Sequence, residues 1–192
     1  MSEPQKVKSA LVLPGGAARG AYQVGVLKAI AGILPRDSAK PFPVISGTSA
    51  GAVNSAVLAT RAHRLRLAVA ELERVWGHFH CDQVYKADNL TMLKSSLHWM
   101  AALVLGGWLV GMPKSLLDNS PLRKLLARNL HFPRIQHAIA AGHLDAVAVT
   151  AAGYSSARST TFFEAAEEQV GWDRIRRVGE NTALGLDHLM AS

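Results

Sequence analysis

Gly47-Thr48-Ser49-Ala50-Gly51 sets a serine between two glycines at G-x-S-x-G spacing. The residues before it, Pro43-Val44-Ile45-Ser46, read as a short strand. Those after it, Ala52 to Ala59, read as a small, apolar, buried helix. Strand, turn and helix in that order are what a nucleophile elbow requires: the turn holds the serine in a strained conformation, and the flanking glycines leave room for neighbouring backbone. The Ser49 hydroxyl then projects above the sheet at a helix N-terminus, where the helix dipole favours a developing alkoxide. The same five residues also suit an ordinary tight turn with a capping serine, so the pentapeptide needs a second feature beside it.

That feature is Gly15-Gly16-Ala17-Ala18-Arg19-Gly20, which follows an apolar run and opens a helical pattern. Backbone N–H groups in such a loop point at whatever anion sits there. A nucleotide phosphate fits poorly. Ala17 stands where G-x-G-x-x-G needs its middle glycine, no acidic residue closes a second strand at the distance a ribose-binding unit requires, and Gly-Lys-Ser/Thr is absent. An oxyanion hole is the better use, because donors fixed in advance can stabilise a tetrahedral oxyanion by roughly 3–4 kcal/mol each. Two parallel strands would bring both turns to one sheet edge.

The elements that must position these turns are readable from periodicity. Ser9 to Leu13 is a continuous apolar run ending at Pro14-Gly15-Gly16, as a buried parallel strand does. From Gly20, Tyr22, Val26, Ala29, Ile30 and Ile33 recur at three- and four-residue steps, until Pro35 ends the helix. Arg64 to Trp76 forms a third helix, amphipathic through Leu65, Leu67, Ala68, Leu72 and Val75. Ser120 suits an N-cap and Pro121 position N1 of a helix running to Leu130. Pro133 to Ala141 is another helix, Leu144 to Ala152 a buried strand, Ser159 to Phe163 its neighbour, and Leu186 to Ala191 the start of a last helix. The pattern predicts a three-layer α/β/α domain with a mainly parallel sheet, residues 1–192 forming one domain.

Composition narrows the classes further. The chain has 192 residues, 49% of them hydrophobic and 18% charged, enough for one domain with a sizeable core. The formal charge of +7 is scattered, with no basic run interleaved with aromatics, so nucleic acid is not an expected partner. An anionic membrane surface or substrate is a better match for that charge, and a plain solvated basic surface a better one still. A single cysteine, Cys81, excludes an intrachain disulfide. The polar stretch from Met1 to Lys6 has no apolar core of a signal peptide. The longest apolar stretch, Trp99 to Met112, is shorter than the ~20 residues that span a bilayer. The expected location is cytoplasmic, with peripheral membrane contact through Trp99, Trp108 and the aliphatics between them, or else that stretch is an ordinary buried helix.

The conjunction of the two glycine turns resembles the patatin-like phospholipase family, whose members carry a G-G-G-x-[RK]-G loop followed by G-x-S-x-G. Gly15, Gly16, Arg19 and Gly20 match the first motif, with Ala17 in place of its third glycine; Gly47, Ser49 and Gly51 match the second. Asp82-Gln83-Val84-Tyr85 and Leu116 to Leu122 are similar to segments of bacterial members, and Ala191-Ser192 to an Ala-Ser that precedes a Pro-containing loop. The resemblance implies hydrolysis of lipid acyl esters without metal or organic cofactor, by a Ser–Asp dyad. Its Asp belongs to an Asp-Gly-Gly or Asp-Gly-Ala motif, and no Asp-Gly occurs in these residues. The expectation is that the dyad Asp lies beyond Ser192 and that the 192 residues alone are inactive.

Within the chain, Asp145, Asp173 and Asp187 are the candidates for a base. Asp145 precedes a strand and so belongs at the wrong sheet edge. Asp187 with His188 follows the order of a hydrolase triad, yet the two partners normally come from separate loops. The remaining histidines form no motif. Asp118 shapes a turn before Pro121, and Arg19 either contacts a lipid phosphate or braces the oxyanion loop through backbone carbonyls, the latter being favoured. Two other functions stay open: acyl transfer of the malonyl-transferase-like type, and a lipid- or membrane-binding pseudoenzyme.

Overall fold

In a computed structural model, residues 9–36, 38, 40–77, 119–166 and 169–192 are described. The apolar stretch around Trp99 and Trp108, the segment at Asp82, and Cys81 and Asp118 lie outside them. Two compact units are distinguished, one made of residues 1–77 and 130–192, the other of 78–129. In the second unit the described part is helix α4 (Ser120–Asn129), which begins one residue earlier than the capping pattern places it and buries Leu126.

The first unit is built on a mixed sheet. β1 (Ala10–Leu13), β2 (Val44–Thr48), β3 (Ala146–Gly153), β4 (Arg158–Ala165), β5 (Trp172–Arg174) and β6 (Arg177–Asn181) lie in the order β1-β2-β3-β4-β6-β5. The β1–β2, β2–β3 and β4–β6 pairs are parallel; β3–β4 and β5–β6 are antiparallel. The mainly parallel α/β class expected from the sequence is thus the class observed. β5 and β6 lack the apolar alternation that marks a strand, because Trp172–Arg174 is exposed throughout and β6 buries only Gly179.

Helices α1 (Gly20–Ile33), α2 (Ala50–Thr60), α3 (Leu65–Gly77), α5 (Pro133–Ala140) and α6 (Leu186–Ala191) complete the unit. α2 is its centre. Nine of its residues are buried, among them Ala52, Ala56 and Ala59 with no exposure at all. Its small side chains let it lie close on β1, β2 and β3, while α3 and α5 pack against its other sides. The sheet answers with Ile45, Val147 and Val149, all buried. Each such aliphatic side chain stabilises by roughly 1.5–3 kcal/mol on leaving water.

α1 departs from the sequence reading. Its buried residues are Gly20, Val24, Leu27 and Ala31. Tyr22 and Ile33, members of the apolar spacing that marks the helix, are 77% and 83% exposed. The helix is apolar nearly all round, so spacing alone does not choose the inward face. Among the described residues, no helix is long and apolar enough to cross a membrane.

Glu164 of β4 is half-buried, and its Oε2 accepts the Leu184 N–H at 3.0 Å. Burial pushes its carboxyl above the ordinary value, while that hydrogen bond pulls the other way. The native state therefore holds the proton more tightly than the unfolded chain. Stability from this group is complete below the unfolded value of about 4.5 and is lost as pH rises through the higher native one. Glu164→Gln keeps an oxygen for Leu184 and removes the buried charge. It should raise the urea midpoint at pH 7 and lose that advantage at pH 4, which paired denaturation curves at the two pH values will show.

Candidate active site

β1 and β2 are parallel neighbours with Leu13 opposite Gly47 in the register. Both strands end at the same sheet edge, so the Gly15–Gly20 loop and the Gly47–Gly51 turn emerge side by side. They touch. A Cβ built on Gly15 would lie 3.2 Å from the Ser49 Cβ and 3.4 Å from the Thr48 carbonyl oxygen. A Cβ on Gly51 would lie 2.0 Å from the Leu13 carbonyl oxygen and 2.7 Å from that of Pro14. Glycine is required at Gly51 because the helix start is pressed directly against the backbone of the neighbouring turn. At Gly47 the same holds against the Gly51 carbonyl, 2.2 Å from a built Cβ, and the Ser55 hydroxyl, 2.3 Å.

Ser49 sits between β2 and α2 with φ 55° and ψ −123°. A serine in this sparsely populated region carries strain of about 1–3 kcal/mol, held by its surroundings. Its carbonyl accepts the N–H groups of Ala52 and Val53 at 2.8 and 3.2 Å, locking the turn into the first turn of α2. Ser49 is exposed, as are Thr48 and every residue from Gly15 to Arg19. The serine hydroxyl and the glycine loop thus share one open face of the sheet edge.

The loop itself turns through Gly16 at φ 157° and Ala17 at φ 47°. Ala17 occupies left-handed backbone space that a glycine takes without cost and an alanine takes at about 1–2 kcal/mol. Ala17 to Arg19 then make one 3-10 turn, closed by the Arg19 N–H on the Gly16 carbonyl at 2.9 Å. None of the described residues accepts a hydrogen bond from the N–H groups of Gly15, Gly16, Ala17 or Ala18. Four backbone donors beside an exposed serine can stabilise negative charge developing on a carbonyl oxygen there.

Bracing of the loop by the Arg19 guanidinium, favoured from the sequence, is not what holds it. Among the described residues that group makes no hydrogen bond or ion pair; its stem packs over Gly16. The brace comes from residues that sequence reasoning passed over. Gln23 Nε2 donates to the Pro14 carbonyl at 2.7 Å. The Asn54 amide donates to Gln23 Oε1 at 2.9 Å and to the Gly20 carbonyl at 3.1 Å, and accepts the Trp76 indole N–H at 2.8 Å. Asn54 is fully buried. A buried amide among the small and apolar residues of α2, next to Ser55, is the one signal that pointed to it. Asn54→Leu should cost about 1–3 kcal/mol, since it removes three hydrogen bonds that tie the Gly20 carbonyl, Gln23 and the Trp76 indole together and puts a branched side chain into a fully buried site. A urea midpoint read from Trp76 fluorescence will measure it.

The candidate bases make other contacts. Asp145 precedes β3 and pairs with Lys40, at the opposite end of the sheet from Ser49. Asp173 pairs with Arg158. His188 accepts the Gly185 N–H on Nδ1 at 3.0 Å and tilts against the Phe162 ring with centroids 4.5 Å apart, beside exposed Asp187. His63 and His143 face each other with centroids 5.8 Å apart. They follow α2 and precede β3, so the full length of α2, about 16 Å, separates them from the elbow. Burial, then the charge of Arg64, holds the His63 pKa below its ordinary value. Among the described residues, no Asp, Glu or His accepts a hydrogen bond from the Ser49 hydroxyl, and no group of three or more His, Cys, Asp or Glu could hold a metal ion.

A family model described as patatin-like phospholipase matches residues 11–169. Neither curated proteins nor solved structures give a match.

Proposed function

The chain belongs to the patatin-like phospholipase family, and from that premise we propose that it is a serine-dependent lipid acyl hydrolase with Ser49 as its nucleophile. The observation that carries this reading is the contact of the two turns: Gly15 lies against Ser49, which is exposed and held at φ 55°. Ser49 Oγ attacks the acyl carbonyl, its proton passes to a base, and the carbonyl oxygen becomes an oxyanion. The N–H groups of the Gly15–Ala18 turn receive that charge. Collapse expels the alcohol and leaves an acyl-enzyme on Ser49, which water then hydrolyses.

Asp145 lies at the far end of the sheet and Asp173 is paired with Arg158, which favours a dyad Asp other than these two, in this reading one from beyond residue 192. The exposed Arg19 guanidinium at the rim of the loop suits the phosphate of a phospholipid. A fluorophosphonate probe tests the reading on the full-length protein. Labelling should map to Ser49, and acyl groups released from phospholipid should appear as free acid rather than on an added acceptor alcohol. Predominant transfer to the acceptor would favour the acyltransferase; absence of both labelling and turnover would favour the lipid-binding pseudoenzyme.

A further inference from the structure

Beyond the pair Thr48–Thr150, β2 leaves the sheet to form the elbow, and its ladder with β3 stops. The Ser49 N–H comes next, and it is not left without an acceptor. It donates to the Ser192 hydroxyl oxygen at 2.8 Å, and that hydroxyl donates in turn to the Thr150 carbonyl at 2.6 Å. One oxygen atom thus bridges the gap between the diverging strands, using a donor and an acceptor at once. The bridge is carried by the residue that follows α6, which itself packs on β3.

We propose that Ser192 is a positioning residue for the nucleophile, acting through the Ser49 backbone; this rests on the reading of Ser49 as the attacking serine. A strained φ, ψ pair persists only where the surroundings over-determine it. On one side the elbow is held by glycine-only contacts at Gly47 and Gly51. On the β3 side, Ser192 supplies the restraint that the ladder no longer provides. The bridge also occupies the Ser49 N–H, so oxyanion donors come from the facing glycine loop rather than from the nucleophile's own amide. The Thr150 hydroxyl, 3.0 Å from that of Thr161, steadies the same strand end.

The test uses the full-length protein and three readouts. In Ser192→Ala the Ser49 amide should exchange with deuterium about tenfold faster, the loss expected for one hydrogen bond. Fluorophosphonate labelling of Ser49 should slow by about the same factor, and kcat should fall while KM holds. Ser192→Thr, which keeps the hydroxyl, should restore all three. Wild-type amide exchange or wild-type labelling in Ser192→Ala overturns the proposal, as does a threonine variant no better than alanine. If the wild type itself is never labelled, the hydrolase reading fails, and amide exchange alone then decides whether the bridge exists.

Discussion

With Ser49 as the proposed nucleophile, Ser49→Ala should abolish acyl-ester hydrolysis by the full-length protein, with kcat falling on the order of 10⁵-fold or more, as when a serine hydrolase loses its nucleophile. That factor corresponds to about 7 kcal/mol of transition-state stabilisation. Ser49 is the residue that occupies the elbow position, at φ 55° between β2 and α2. Alanine keeps a Cβ, so the contact with Gly15 and the backbone strain stay as they are. Thermal stability should therefore move by less than about 0.5 kcal/mol, the usual range for an exposed site. The checks are initial rates of acyl release from mixed micelles, fluorophosphonate labelling, and the melting temperature of both proteins. Retention of a tenth of the activity by a folded Ser49→Ala variant would remove Ser49 from the chemistry.

The second large effect is structural and has an internal control. Gly51→Ala should destabilise by about 3 kcal/mol or more and abolish labelling of Ser49. Its new methyl would lie 2.0 Å from the Leu13 carbonyl oxygen, a backbone atom that cannot swing aside. Relief requires the end of β1 to move away from the start of α2, which separates the Gly15–Gly20 loop from Ser49. Gly25→Ala, in the same unit, should do the reverse. Gly25 is exposed within α1, and nothing lies within 4 Å of a Cβ built on it. Alanine there should add about 0.5–1 kcal/mol by lowering the entropy of the unfolded chain and favouring helix. Urea denaturation of both variants measures the contrast; equal midpoints would contradict the contact seen between the two turns.

The sequence by itself determined most of the elements and the elbow. Glycines around Ser49, and strand, turn and helix repeated twice before residue 61, are local signals, because a turn with positive φ and a helix with a small-residue face each leave a mark within a few positions. The buried character of α2 and the helix from Leu186 to Ala191 were legible for the same reason. The inward face of α1 was not, since a helix apolar on all sides has no preferred stripe to read. β5, at the sheet edge, and β6 beside it escaped because short strands with mostly exposed side chains lack alternation. The tertiary structure alone decided what holds the site. Asn54 reaches back 34 positions to Gly20, and Ser192 reaches 143 positions to the Ser49 amide. Such hydrogen bonds depend on which chain ends the sheet brings together, and no local periodicity carries that information.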